Sequence, residues 1–125
     1  MSKLTLLPWQ GTESQEIEKQ IKKEVYALAK DRDTLSMCDA QLEFKFDFRM
    51  EAYVFVACMM LKYDSNLVET REILVPSLVD EDEFWRNYFY AIECIKKNLG
   101  QPTRLVGAVQ ESERRKLIAV QETKL

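Results

Sequence analysis

The chain contains no histidine. Without an imidazole, its own residues can assemble no Ser-His or Cys-His dyad, no histidine general base and no His-containing metal site. Cysteine is sparse too. Cys38, Cys58 and Cys94 are spaced too widely for a zinc knuckle and lie in or near apolar runs, so free buried thiols in a reducing compartment are expected. Three glycines and three prolines in 125 residues leave no Gly-rich loop beside a polar cluster and no low-complexity segment. The longest wholly apolar run, Ala52 to Leu61, covers about half of the ~20 residues that a spanning helix needs. It reads as a buried helix, and membrane insertion is not expected. The first residues, Met1 to Trp9, have neither an apolar signal region nor a small-residue cleavage site, so secretion is not expected either. A cytoplasmic location is the primary reading, with the nucleus as the alternative.

Clustered positive charge is also missing. Eighteen Lys and Arg are interleaved with 21 Asp and Glu for a net charge of -3, which argues against a phosphate-binding surface and against direct nucleic-acid contact. Arg114-Arg115-Lys116 is the one three-residue basic cluster. It has fewer than the roughly 4 to 8 charges usual for anionic lipid and reads as a solvated helix face.

What is present suits one ordinary core: 125 residues, 46% of them hydrophobic. Three parts are expected: an extended segment over 1–11, a helical domain over 12–100 and a tail over 101–125 that is partly helical or disordered. The first part should dock Leu6, Leu7 and Trp9. Thr12 and Gln15 fit a capping box ahead of an amphipathic helix of about five turns, marked by Ile17, Ile21, Val25, Leu28 and Ala29 and ending near Asp31. Asp31 to Gln41 is polar and without strong period, and reads as a loop. Phe44, Phe46 and Phe48 alternate with Lys45 and Asp47 as a strand would. A lone strand cannot satisfy its ladder, so the preferred reading is an extended stretch anchoring aromatic rings before a helix capped by Asp47.

That helix, Met50 through Leu61, is apolar almost all round and should lie centrally. Ser65 or Asn66 should cap a short helix through Leu67, Val68, Arg71, Ile73 and Leu74, stopped by Pro76. Asp80 and Glu83 match a second capping box, and the run Asp80 to Glu83 suits a helix N-terminus. A metal site there would need a folded loop with a glycine turn, which the run lacks. The last helix continues through Phe84, Trp85, Tyr88, Phe89, Ile92, Ile95 and Leu99, and ends at Gly100-Gln101-Pro102.

The Phe84-Trp85 pair opening an amphipathic helix, after a short helix and Leu74-Val75-Pro76, resembles the BSD domain family. Pro8-Trp9-Gln10-Gly11, Phe46-Asp47-Phe48, Leu74-Val75-Pro76 and Phe84 to Tyr90 together are similar to its synapse-associated-protein type, over about residues 8–98. The resemblance implies an all-α fold: a small helical bundle with a three-helix BSD unit at about 47–98, preceded by an additional amphipathic helix. Phe84, Trp85, Tyr88, Phe89 and Pro76 are then the family motif, mainly core. No enzymatic residue and no cofactor come with the family, so the chain is expected to be non-catalytic. Family members include a subunit of a general transcription and repair factor and cytoplasmic adaptor-like proteins. The expected function is therefore an intracellular protein-interaction module, an adaptor or scaffold with a protein partner. One alternative is a component of a nuclear transcription, repair or chromatin-associated complex. Another is a structural subunit self-associating through Leu117, Ile118 and Val120, which leaves a monomer or a weak homo-oligomer. Arg86, Tyr88 and Tyr90 are the candidate protein-binding residues, because aromatic and Arg side chains dominate interface hot spots.

Overall fold

The computed structural model describes residues 6–37, 39 and 41–105. Its order is α1 Gln15–Leu28, α2 Arg32–Leu35, α3 Leu42–Lys45, α4 Met50–Tyr63, α5 Ser65–Leu74 and α6 Glu81–Asn98. The fold is the expected all-α bundle; among the described residues, extended pairing is limited to one antiparallel bridge between Phe46 and Leu105.

Each boundary has a local cause, and several differ from those read in the sequence. Ser14, not Thr12, caps α1: its hydroxyl accepts from the Ile17 N–H at 3.4 Å, while the Thr12 hydroxyl donates to the Ser14 carbonyl at 2.9 Å. The helix turns Ile21, Val25 and Leu28 inward and stops at Leu28. Ahead of it, Leu7 to Gly11 closes a turn instead of running extended, with the Gln10 N–H on the Leu7 carbonyl at 3.0 Å. Trp9 then stacks on Tyr26 of α1, ring centroids 5.8 Å apart, beneath the Lys22 ammonium.

The expected loop after α1 contains the one-turn α2. The Asp31 carboxylate accepts from the Thr34 N–H at 3.1 Å and the Thr34 hydroxyl at 2.7 Å. Polar side chains that compete for backbone groups in loops here nucleate a turn, and Leu35 is fully buried at its end. The Phe44, Phe46, Phe48 series begins in a second one-turn helix, α3, and becomes extended only at Phe46. Phe46 is buried and Phe48 packs against the core, but Phe44 is 80% exposed. Asp47 does not cap α4; that position belongs to Arg49, which makes no capping hydrogen bond, and the two side chains form an exposed ion pair at 3.5 Å.

Asp64 replaces Ser65 and Asn66 as the cap of α5. One carboxylate oxygen accepts from the Asn66 N–H at 3.1 Å and the Leu67 N–H at 3.3 Å, and the other is buried with no partner among the described residues. Burial raises this carboxyl above its ordinary value, with the two backbone hydrogen bonds opposing the shift. Asp64→Ala should cost about 0.5–2 kcal/mol of stability, and Asp64→Asn, an equally good cap, much less. The pH dependence follows from the raised value. The folded chain holds this proton more tightly than the unfolded one, so the group's contribution is most favourable below the ordinary aspartate pKa and is lost as pH rises through the folded value. Urea melts of both chains should show the wild type losing ground to Asp64→Asn as pH rises from about 4; a difference constant with pH would contradict this.

α5 ends at Leu74, with Val75 already extended and the Val75–Pro76 peptide cis. Pro76 is exposed, so it serves the chain reversal and not the core. Across that reversal Arg71 holds Glu81 with two donors, Nη2 at 2.6 Å and Nε at 3.0 Å, and the Trp85 indole N–H donates to the same carboxylate at 3.1 Å. Asp80 caps α6 as expected, accepting from the Glu83 N–H at 2.7 Å. At the far end Gly100, at a φ of 73°, permits the Gln101 N–H to reach the Lys96 carbonyl and its own N–H to reach that of Lys97. This left-handed cap satisfies the last turn.

The central helix is α6, not α4. It packs against α1, α2 and α4, and its rings run into the others: Trp85 against Phe84, Tyr88 and Phe89, then Phe89 on Tyr53, then Tyr53 on Phe46 and Phe48. α4 buries Ala52, Tyr53, Val56, Ala57 and Met60 on one side only. The thiols also depart from expectation: both described cysteines are free, but Cys58 is exposed and Cys94 half-buried. Cys38, the cluster Arg114-Arg115-Lys116 and the tail residues Leu117, Ile118 and Val120 lie outside the described residues.

Candidate functional site

The candidate binding residues, and all of the family motif but Pro76, lie on α6, and its 3.6-residue period sorts them. Phe84, Trp85, Tyr88 and Phe89 face the bundle and are buried. Tyr88, expected to serve as a binding residue, has no exposed surface. Burial pushes its phenol far above the ordinary range, and its oxygen has no hydrogen-bond partner among the described residues. It is a core residue.

Arg86 and Tyr90 remain half-exposed one turn apart, but they do not form one surface. Arg86 lines a polar cleft between the α4 N-terminus and the acidic start of α6, with Asp47, Arg49, Glu51, Asp80 and Asp82 around it. Its Nε is buried without a partner among the described residues. Tyr90 lines a second hollow, between α6 and the α1–α2 junction. Phe46 forms part of the Arg86 cleft and its ring lies 6.2 Å from that of Tyr90, which places it between the two.

The Tyr90 hollow is a groove of about 490 Å³ with an apolar floor of Ala27, Leu28, Met37, Ala91, Cys94 and Ile95. Glu24, Asp31 and Thr34 supply its polar lining. Partial burial raises the Tyr90 phenol, and the neighbouring Cys94 thiol and Asp39 add to the shift. Of this floor the sequence singled out none as functional. The signal was present in Ala91, Cys94 and Ile95, which continue the apolar character of α6 beyond its core-facing stripe.

Elsewhere on α6 Glu93 is buried and accepts from the Arg104 N–H at 2.9 Å, with Lys96 at 4.0 Å. Among the described residues no cluster of three or more Cys, Asp or Glu could hold a metal ion. No described helix is long and apolar enough to cross a membrane.

Comparison with known proteins places this geometry. The family model for the BSD domain matches residues 44–100. Synapse-associated protein 1 of Mus musculus is 39% identical over 112 residues, which are 89% of this chain and 29% of that protein. Synapse-associated protein of 47 kDa from Drosophila melanogaster is 35% identical over 89 residues, 70% of this chain and 15% of its own length. The chain thus spans less than a third of either relative. The matched stretch holds the Phe46 anchor, the Leu74-Val75-Pro76 reversal and the buried Phe84-Trp85 pair at the heart of the bundle: residues 44–100 form a BSD domain, and its type is that of the synapse-associated proteins.

Proposed function

We propose that this chain is a non-catalytic protein-interaction module of adaptor or scaffold type, working in the cytoplasm, and that the Tyr90 groove receives a short helical segment of a protein partner. The apolar floor beneath Tyr90 is the observation that carries the reading. An amphipathic helix laid into such a groove buries two or three anchors, and an amphipathic aromatic at its edge supplies contact area at low entropic cost. The cleft around Arg86 is polar and charged, and desolvating it would return little.

Paired substitutions separate the two hollows. Ala91→Arg fills the groove floor from a half-buried position, and Tyr90→Ala removes its aromatic edge. Partners recovered on the immobilised chain and then remeasured with purified components should bind either variant at least about tenfold more weakly, the loss of one hot-spot residue. Arg86→Ala should bind as the wild type does, provided circular dichroism and melting of all three variants match it. Loss with Arg86→Ala and none with the groove variants would move the site to the polar cleft.

A further inference from the structure

We propose that the outer face of α4 is a self-association surface, closed by α4 of a second copy running antiparallel to it. The inner side of this helix is buried against the bundle, yet Val54 and Phe55 on the outer side are 46% and 48% exposed, and Cys58 is exposed beside them. A helix that is apolar on both sides is ordinarily covered on both sides.

The arrangement of the face indicates what covers it. Residues 51, 55, 58 and 62 are spaced four, three and four apart, which at 100° per residue holds them within about 60° of arc along about 16 Å of helix. The stripe reads Glu51, Phe55, Cys58, Lys62: an anion, two apolar residues and a cation. Glu51, at the α4 N-terminus, also borders the Arg86 cleft, but among the described residues neither it nor Lys62 forms an ion pair. Two copies related by a two-fold axis midway along the stripe place Glu51 opposite the partner's Lys62, and Lys62 opposite the partner's Glu51. Phe55 then meets the partner's Cys58. A parallel pair would oppose like charges at both ends. The two charges also suit the dipole of their own helix, but that leaves the exposed apolar residues between them without a role. A stripe that is its own complement under two-fold rotation is what an isologous contact requires. Four turns of helix make less than a standard-size interface, so the association is concentration-dependent.

Sedimentation equilibrium of the whole chain under reducing conditions tests this. From about 10 μM to about 1 mM, the range for a small interface, the average mass should rise from that of one 14.7 kDa chain towards two. Phe55→Glu should hold it at one chain. Glu51→Lys and Lys62→Glu should each weaken association about fivefold, and the double variant Glu51→Lys with Lys62→Glu should restore it. A single-chain mass at every concentration overturns the proposal. So does a dimer indifferent to Phe55→Glu, which would place the contact elsewhere, or a charge exchange that fails to restore it.

Discussion

Trp85→Ala should destabilise the chain by about 3–5 kcal/mol, the range for emptying a buried aromatic site. Trp85 is 1% exposed, and its indole lies 5.1 Å from the Phe84 ring, 5.6 Å from Tyr88 and 5.8 Å from Phe89, measured between centroids. Removing it takes one wall from three other rings at once. It also removes the N–H that helps hold Glu81, the carboxylate that Arg71 grips across the α5–α6 reversal. Small domains are stable by only about 5–15 kcal/mol, so the loss is a large share of the whole. Trp85→Phe keeps most of the packing and gives up the hydrogen bond, and should cost nearer 1–2 kcal/mol. Urea unfolding followed by circular dichroism separates the two; an Ala variant as stable as the wild type would show the site to be unimportant to packing. The expected loss also makes Trp85→Ala unsuitable for probing binding, because unfolding would precede any loss of contact.

Asn87→Asp should be as damaging, by a different route. Asn87 has no exposed surface, and its Nδ2 donates to the Leu35 carbonyl at the end of α2 at 3.1 Å. Aspartate substitutes an anion facing a carbonyl oxygen in a buried site. Such a carboxyl shifts up by about 3 units or more, which at 1.36 kcal/mol per unit is about 4 kcal/mol lost at neutral pH. Below about pH 3 the carboxyl is protonated in both folded and unfolded chains, and its O–H can replace the lost donor. As pH rises, the unfolded chain ionises first, and stability falls until the raised folded pKa is passed. The variant should therefore be closest to the wild type in acid and weakest at neutral pH. Parallel melts across that range check it, and a deficit independent of pH would mean that the carboxyl ionises as readily in the folded chain as in the unfolded one.

The sequence exposes the skeleton of this fold more readily than its surfaces, and particular residues explain why. The start of α6 was legible because Asp80, Glu83 and the aromatic series after them act within one helix, through its own N–H groups and period. The one-turn α2 was not, since four residues are too few for a period and only the Asp31–Thr34 contact distinguishes it from a loop. α4 was misplaced for a tertiary reason: hydrophobicity all round does not say which side has a neighbour, and here only one does. The candidate site divided similarly. The half-exposed place of Tyr90 was legible because aromatic character at the edge of the stripe is local information, but its separation from Arg86 depends on Phe46, 44 positions earlier in the chain than Tyr90. The Ala27 and Leu28 side of the groove comes from a helix whose docking on α6 no local pattern states.

Two buried hydrogen bonds bear on where this chain can be cut. The Thr70 hydroxyl donates to the Ala29 carbonyl at 2.7 Å, and Asn87 to that of Leu35. Both donors lie inside the stretch that matches the family, 44–100, and both acceptors precede it. A fragment trimmed to the match would strand two polar groups where the wild type keeps them paired, and would uncover the side of α6 against which α1 and α2 rest. The stretch that the family model matches is shorter than the segment that packs together, the longer similarity to the Mus musculus relative takes in the helices ahead of it, and a working fragment has to begin ahead of α1.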